Sequence, residues 1–173
     1  PPRSTLFPYT TLFRSYMGEH NWWGGKHNNY EGATRAPLIV AAPGRKALGQ
    51  STPALVEFVD IYPSLCELCG LPPTAGLEGK SFVPLLDNPQ QPWDKAAFSE
   101  YPKGGFQGTT MRTTRYRYVE WVDHQGKVVD RELYDHQADP AENENVAGRP
   151  ENQPVIEQLG RELQTRRAAV RGQ

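Results

Sequence analysis

The residues best suited to chemistry lie at positions 18–31, a stretch rich in Gly, His, Trp and Lys with no apolar period. A lysine in a Gly-rich loop can meet an anionic group as a point charge, which makes Lys26 a candidate anion contact. His20 and His27 can exchange protons near neutral pH, so either could act as an acid or a base. Alternatively, the two tryptophans of the stretch pack the loop while its charged groups stay solvated. Spacing alone leaves both interpretations open.

The elements after this loop must position it. Residues 38–42 are a short apolar run bounded by turn residues, which is typical of a buried strand. A polar loop that feeds such a strand is a common place for the chemistry of an α/β enzyme. Residues 55–59 predict a second strand. Asp60 is expected to cap a helix over residues 61–69 by accepting from its first free N–H groups, and Gly70 predicts the left-handed stop of that helix.

The second half of the chain predicts a small antiparallel sheet. Residues 97–101 are one candidate strand, stopped by the proline that follows, and the Gly-rich residues 103–109 are expected to form a mobile loop. Residues 111–122 alternate as one strand, which the turn at residues 123–126 returns to a last strand ending at Asp135.

Two further patterns show which residues share a face of a predicted strand or helix. In the alternating strand, Tyr116 and Tyr118 share one face, and the other face carries Arg115, Arg117, Val119 and Trp121. Residues 154–170 predict a polar helix with a single apolar stripe, made of Val155, Ile156, Leu159 and Leu163.

Composition limits the classes of function. The formal net charge is -1 at pH 7 and no stretch is strongly basic, so neither nucleic acid nor an anionic membrane surface is an expected partner. No run approaches the ~20 apolar residues that span a bilayer. Cys66 and Cys69 have C-x-x-C spacing, but no second Cys pair or nearby His completes a zinc site. Both are expected to be buried apolar thiols, with redox or metal chemistry as the alternative.

Residues 1–15 differ from the rest of the chain. Thr5-Leu6-Phe7 recurs at residues 11–13 without a strand or helix pattern, and the run lacks the features of a signal peptide. It resembles a translated sequencing-adapter read and is left out of the fold prediction. The native chain is therefore expected to begin near Tyr16, as a fragment of a longer protein.

Several motifs, in order, carry a resemblance to a known family. They are Gly18-Glu19-His20, Trp23-Gly24-Gly25-Lys26-His27, Tyr30-Glu31, Thr34-Arg35-Ala36-Pro37, Val59-Asp60-Ile61-Tyr62-Pro63-Ser64-Leu65, Gly79-Lys80-Ser81-Phe82, Met111-Arg112-Thr113, Arg115-Tyr116-Arg117-Tyr118, Glu132-Leu133-Tyr134-Asp135, Asp139-Pro140 and Glu142-Asn143. Together they cover nearly everything from Tyr16 to Ala147 and resemble the C-terminal part of the type I sulfatases. Residues 99–103, with the pattern Arg-Thr-x-x-Tyr-Arg-Tyr-x-x-Trp from Arg112, are most similar to the iduronate-2-sulfatase branch.

The resemblance implies hydrolysis of a sulfate ester, with a sulfated carbohydrate or another sulfate ester as partner. In the family a Cys or Ser in a Cys/Ser-x-Pro/Ala-x-Arg motif becomes formylglycine, whose hydrate attacks sulfur while Ca²⁺ polarises the sulfate oxygens. Lys26 matches the lysine that holds the sulfate, so it is the predicted catalytic residue. His20, His27 and Arg112 are predicted to contact the substrate. The resemblance also implies a periplasmic or secreted protein.

The departures from the family pattern are as informative. The expected Asp-His-Gly is replaced by Phe13-Arg14-Ser15, and the gap from His20 to Lys26 is one residue longer than usual. Neither cysteine lies in a formylglycine motif, and the N-terminal Asp pair for the metal has no counterpart. We therefore expect the Ca²⁺ ligands and the nucleophile to lie outside this chain, and no turnover from the chain alone.

The predicted fold class is α/β: the C-terminal part of an alkaline-phosphatase-like sulfatase fold with a small antiparallel β-sheet plus helix subdomain. The expected boundaries are 1–15 for the non-native run, 16–92 for the end of the catalytic domain, 93–149 for the antiparallel subdomain and 150–173 for the terminal helix.

Two other functions stay open. A related hydrolase of the alkaline-phosphatase superfamily would act on phosphate or phosphonate esters. A non-catalytic module would bind sulfated glycans through the aromatic and basic face around Arg112, Arg115, Tyr116 and Trp121. The simpler reading of that face is a half-buried strand whose arginine stems pack over tyrosine rings.

Overall fold

The computed structural model describes residues 27–72 and 75–171. Its centre is a four-stranded antiparallel sheet in the order β1-β2-β3-β4, formed by Ala97–Lys103, Phe106–Arg112, Tyr116–Val122 and Val128–Asp135. The helices are α1, Glu31–Thr34, α2, Ile61–Leu68, and α3, Gln153–Arg171, with 3-10 turns at Phe58–Asp60, Val83–Leu86 and Pro150–Asn152. No helix within the described ranges is long and apolar enough to cross a membrane.

The first hairpin corrects two predictions. Residues 103–109 are not a mobile loop, because Gly104 and Gly105 form a tight turn and the residues after them begin β2. Both glycines have positive φ, 59° and 88°, which is the backbone that a two-residue hairpin turn needs. Pro102 does not stop β1 either. It lies opposite Gln107, on an edge strand where a missing N–H can face away from the ladder.

The predicted strand at residues 111–122 is the end of β2 and the whole of β3. A turn at residues 113–115 separates them, closed by the Thr113 N–H, which donates to the Tyr116 carbonyl at 2.8 Å. The predicted turn at residues 123–126 is confirmed, and Asp123 Oδ1 accepts from the backbone N–H groups two and four residues further on, each at 2.9 Å.

The apolar core lies between one face of the sheet and α3. Met111, Tyr118 and Leu133 project from successive strands, and the predicted stripe on the helix meets them with Ile156, Leu159 and Leu163. Tyr118, Leu133 and Leu163 are fully buried at 0% exposure. The buried carboxylate of Glu120 adds an ion pair to the same interface, because Arg167 of α3 approaches it to 2.9 Å.

The two predicted strands in the first part of the chain are wrong. Residues 38–42 have no regular structure, and the side chain of Ile39 is 92% exposed. Residues 55–57 have no regular structure, and residues 58 and 59 belong to a 3-10 turn, in which Phe58 is 68% exposed. A strand requires a hydrogen-bonded neighbour, and within the described residues neither segment pairs with one.

Helix α2 is confirmed, and Gly70 adopts the predicted positive φ, 67°, just after it. The role predicted for Asp60 is wrong, because its side chain makes no capping hydrogen bond to α2. The fully buried carboxylate instead accepts from the backbone N–H groups of Glu57 at 2.8 Å and Lys80 at 2.7 Å, and from Lys95 Nζ at 2.7 Å. Asp60 therefore joins three segments that are distant in sequence.

The two cysteines are both free thiols, but only one fits the prediction. Cys66 is buried, whereas Cys69 is exposed. The buried residues of α2 are Ser64 and Cys66, while Leu65 on the predicted apolar face is 54% exposed.

The placement of the core predicts that alanine substitutions at Leu163 and Leu65 differ strongly in their effect on stability. Leu163→Ala removes a fully buried side chain and should lower the free energy of unfolding by about 2–5 kcal/mol. Leu65→Ala removes a side chain that is 54% exposed and should change it by about 0.5 kcal/mol or less. Urea unfolding followed by circular dichroism measures both, and equal losses would contradict the placement of the core.

Candidate functional site

Residues 27–31, here called the crossing segment, run over the face of the sheet opposite α3. The ring of His27, at the start of the segment, has its centroid 6.3 Å from that of Tyr101 in β1. Near its end, the ring of Tyr30 meets Tyr134 of β4 edge-on, with centroids 5.7 Å apart. The segment therefore spans the sheet from its first strand to its last, and in sequence it follows directly after Lys26.

Asn29 fixes the middle of the crossing segment and is 3% exposed. Its side-chain N–H donates to the Gly108 carbonyl at 3.0 Å, and its side-chain oxygen accepts from Ser99 Oγ at 3.2 Å. Its own backbone carbonyl accepts from Arg117 at 2.8 Å. Each of these bonds joins the segment to a different strand, so Asn29 sets its position over β1, β2 and β3.

Gly108 is required at this crossing for reasons of space. A Cβ atom there would lie 2.8 Å from the ring of Trp121 and 2.9 Å from Asn29 Nδ2. Both distances are shorter than van der Waals contact, so any larger residue would push the crossing segment away from the sheet.

Arg117 provides the strongest attachment. Its guanidinium lies in β3, is 2% exposed, and forms ion pairs with Glu31 of the crossing segment and with Glu142. Burying a charge is costly unless it is paired and hydrogen-bonded, and here two carboxylates and the Asn29 carbonyl satisfy it. The Arg117 side chain therefore holds the crossing segment at two residues, Asn29 and Glu31.

Glu142 reaches this position through an unusual backbone. Its φ is 59°, in the left-handed region that side-chain-bearing residues rarely adopt, and such a residue costs about 1–3 kcal/mol. Its buried carboxylate accepts from the Glu31 N–H at 2.7 Å and contacts His136 Nε2 at 2.8 Å, besides pairing with Arg117. These three interactions offset the backbone strain.

Arg112 and His136 also belong to this buried ion-pair network, whose other members are Arg117, Glu31 and Glu142. Arg112 pairs with Glu31 at 3.4 Å, donates to the Thr113 carbonyl, and lies 2.9 Å from His136 Nδ1. Because a guanidinium has no acceptor, Nδ1 must accept this hydrogen bond. The Nε2–H group of the imidazole then donates to the Glu142 carboxylate at 2.8 Å.

The charges of the network shift two pKa values. Burial opposes the ionisation of Glu31, but the guanidinium groups of Arg117 and Arg112 outweigh it and hold the pKa of Glu31 below its ordinary value. Burial also lowers the pKa of Arg112 from its ordinary value, although the charge of Glu31 favours the protonated form.

The network does not fit a calcium site. One ligand atom each from Glu31, His136 and Glu142 lie within 4.8 Å of one another, the separation that a metal would need. Ca²⁺ takes six to eight oxygen ligands. Here one of the three groups is an imidazole, and Arg117 and Arg112 already supply the positive charge. We therefore assign no metal to these residues.

The predicted site residues separate into two groups. Lys26 and His20 lie outside the described residues. His27 is exposed and lies beside Tyr101, whose partner in β2 is Gly108. Arg112 lies four residues after Gly108 in β2, so the two β2 positions are about 13 Å apart at strand spacing. The structure thus places His27 and Arg112 at different positions along β2, and a role for either in substrate binding stays a prediction.

Sequence reasoning missed the residues that fix the segment: Asn29, Gly108, Arg117, His136 and Glu142. Two signals pointed to some of them. The motifs of the family resemblance include Arg117 and Glu142, without a role for either. Alternation placed Arg117 on the face opposite Tyr118, which the structure confirms, but not at the centre of a buried network.

The sheet, α3 and the preceding segments have the fold of the C-terminal part of an alkaline-phosphatase-like sulfatase. A solved structure of a protein in complex with its substrate D-glucosamine-2-N,6-O-disulfate superposes with a TM-score of 0.75 at 28% identity, over 87% of this chain and 32% of that chain. Residues 18–169 match the family described as "N-sulphoglucosamine sulphohydrolase, C-terminal". The chain belongs to that sulfatase family.

Curated relatives agree with the family. Arylsulfatase K of Danio rerio is 33% identical over 128 residues, which are 70% of this chain and 24% of the relative. N-acetylglucosamine-6-O-sulfatase of Bacteroides thetaiotaomicron is 28% identical over 153 residues, 86% of this chain and 27% of the relative. The chain spans about a quarter of the length of these relatives.

The close approach at Gly108 gives a stability prediction. Gly108→Ala should force Trp121 and Asn29 apart and lower the free energy of unfolding by about 1–3 kcal/mol. Gly148→Ala is the matched control, because a Cβ there meets nothing within 4 Å. Thermal unfolding of both variants measures the difference. Equal stability of the two would show that the segment does not cross at Gly108.

The lowered pKa of Glu31 gives a pH prediction. A carboxyl group whose pKa is lower in the folded state stabilises the fold above its unfolded pKa and loses that effect as pH falls through its folded pKa. The free energy of unfolding should therefore fall on acidification below about pH 4.5, the ordinary glutamate value, and Glu31→Gln should flatten that dependence. Glu67→Gln, on the exposed side of α2, should leave it unchanged. Urea unfolding at a series of pH values tests the pair.

Proposed function

We propose that the intact protein hydrolyses sulfate esters of sugars and that this chain supplies one wall of its active site. One observation carries the proposal: in a chain of a sulfatase family, the segment next to Lys26 is fixed to a sheet by a buried ion-pair network. Reactive groups need such rigid support, because small displacements reduce catalysis strongly.

Lys26 is the proposed sulfate contact. Its ammonium carries a compact positive charge and three donors, which can meet a non-bridging sulfate oxygen and the leaving oxygen together. That arrangement would stabilise negative charge that develops when the ester bond breaks. His20 and His27 are proposed to face the substrate beside it. The exposure of His27 supports a position open to ligand.

A sulfated amino sugar is the proposed substrate. The support comes from the relative named for N-acetylglucosamine 6-O-sulfate and from the structural neighbour bound to a disulfated glucosamine. The similarity of residues 99–103 to the iduronate-2-sulfatase branch stays a prediction, so iduronate 2-sulfate belongs in the same assay.

The formylglycine and Ca²⁺ that the family implies are proposed to come from parts of the intact enzyme outside this chain. Cys66-Glu67-Leu68-Cys69-Gly70 lacks the arginine of the formylglycine motif, and the acidic cluster around Glu142 does not fit Ca²⁺. No catalytic step is therefore assigned to either cofactor through residues of this chain. A periplasmic or secreted location is proposed with the family.

Binding tests the proposal without requiring turnover. We expect the 173-residue chain to bind D-glucosamine 6-sulfate but not D-glucosamine in an NMR titration, and Lys26→Ala to abolish this binding. Lys127→Ala, which removes a lysine from the β3–β4 turn, should have no effect. D-glucosamine 6-phosphate is the comparison ligand.

The three candidate functions give different results in this titration. Binding lost in Lys26→Ala supports the sulfatase wall. Stronger binding of the phosphate ester supports a phosphate or phosphonate ester hydrolase. Binding that survives Lys26→Ala but is lost in Arg112→Ala supports a non-catalytic glycan-binding module, and absence of all binding contradicts the proposal.

A further inference from the structure

Several ring side chains lie at the end of the sheet that carries the first hairpin turn, on the face that receives the crossing segment. Tyr101 and Trp121 are the two neighbours of Gly108, one in β1 and the other in β3. Phe106 is two residues before Gly108 in β2, so it projects from the same face. The ring centroid of His27 lies 6.3 Å from that of Tyr101. We call His27, Tyr101, Phe106 and Trp121 the aromatic platform.

The aromatic platform is accessible to a ligand. Phe106 is 43% exposed, His27 is exposed, and Tyr101 and Trp121 are half-buried. Because residue 108 is a glycine, no side chain of β2 separates Tyr101 from Trp121. Grouped apolar rings that stay in contact with water mark sites of interaction.

Trp121 is held at both ends of its ring system. Its indole N–H donates to Glu132 Oε1 in β4 at 2.7 Å. At the other end, Cζ3 and Cη2 lie 2.8 and 2.9 Å from the position that a Cβ atom at Gly108 would occupy, so the indole runs across the sheet from β4 towards β2. Glu132 is fixed in turn, because the Tyr134 hydroxyl donates to its other carboxylate oxygen at 2.8 Å. A ring that is already ordered loses little entropy when a ligand stacks on it.

The dimensions of the platform favour a small ligand over a protein. Three adjacent strands contribute to it, so it extends about 10 Å across the sheet and about 7 Å along the strands. Each partner in a stable protein interface buries about 800 Å², an area several times larger. The net charge of -1 gives no support to a nucleic acid. A ligand of two small rings, side by side across the strands, matches these dimensions.

A pair of linked amino-sugar rings has the chemistry that the platform can bind. One side of a pyranose ring carries C–H groups, and the electron-rich face of an aromatic ring attracts them. The protonated amine of a glucosamine adds a cation, which aromatic faces and carboxylates both attract. Asp130 supplies the carboxylate, because it is the β4 partner of Trp121 and is exposed.

We propose that the aromatic platform binds two consecutive amino-sugar rings of a glycan. Trp121 and Tyr101 stack on one ring each, Phe106 borders both, and Asp130 meets an amino group. The inference rests on the proposed function, from which it takes the amino sugar, but it requires no sulfate and no residue outside the described ranges. One ring contact is too weak to hold a single sugar, whereas two linked contacts strengthen each other.

An unsulfated disaccharide tests this site on its own. Chitobiose, in which two D-glucosamine rings are joined, should shift the indole N–H resonance of Trp121 in an NMR titration of the 173-residue chain. Trp121→Ala, followed through the backbone amide resonances, should weaken the binding about tenfold. Asp130→Asn should weaken it about threefold, the effect of an exposed ion pair. Cellobiose, which has the same linkage but no amine, should bind the unchanged chain as weakly as chitobiose binds Asp130→Asn.

A second aromatic variant keeps the test decisive if Trp121→Ala does not fold. Phe106→Ala removes a ring that is 43% exposed, so it should cost little stability and weaken chitobiose binding about threefold. Phe58→Ala is the matched control, because Phe58 is 68% exposed but lies outside the platform. It should leave the affinity unchanged. Thermal unfolding of each variant records stability alongside the titration.

The outcomes separate this site from the proposed function. If chitobiose does not bind, or if Trp121→Ala and Phe106→Ala leave its binding unchanged, the platform is not a sugar site, and the titration with D-glucosamine 6-sulfate still decides the proposed function. Chitobiose binding that is lost in these two variants supports the platform whatever Lys26→Ala does to the sulfated sugar. A loss in Phe58→Ala equal to that in Phe106→Ala would also overturn the site, because any exposed ring would then have the same effect.

Discussion

A buried guanidinium placed between two carboxylates is the interaction on which the described structure depends most. Arg117 cannot leave its charge unpaired inside the protein, so Glu31 and Glu142 must both approach it. Arg112 supplies the second positive charge, so two cations face two anions. Other features then follow: the left-handed backbone of Glu142 brings its carboxylate within reach, and Gly108 leaves room for the segment that carries Glu31.

The two faces of the sheet have different roles in the structure. One face is apolar and packs on α3, where burial of Met111, Tyr118 and Leu133 supplies the hydrophobic stabilisation. The other face is polar and receives the crossing segment through directional hydrogen bonds and ion pairs. Adjacent residues of β3 serve both, because successive side chains of a strand point to opposite sides. The apolar face makes the sheet stable, and the polar face of that stable sheet holds the crossing segment.

The sequence predicted those parts of the fold that depend on local pattern. The period of the α3 stripe, the alternation along β3 and the turn at residues 123–126 are properties of neighbouring residues, and all are confirmed. The prediction failed where the hydrogen-bond partner of a residue is distant in sequence. Asp60 looked like a helix cap, but its carboxylate binds Lys80 and Lys95, 20 and 35 residues away. Likewise, nothing local shows that Arg117 will meet a backbone carbonyl 88 residues earlier.

The two halves of the chain differ in how well they are packed, and the crossing segment is held by the better packed half. From residue 38 to residue 71, large apolar side chains such as Ile39 and Phe58 are exposed, and no strand forms in that range. The apolar burial that could order a loop is concentrated instead in the sheet and α3. In sequence, residues 18–31 adjoin the weakly packed part, but every contact described for the crossing segment is with the sheet or with Glu142. The position of the crossing segment is therefore set by residues much later in the chain, through hydrogen bonds that span 70 to 111 residues.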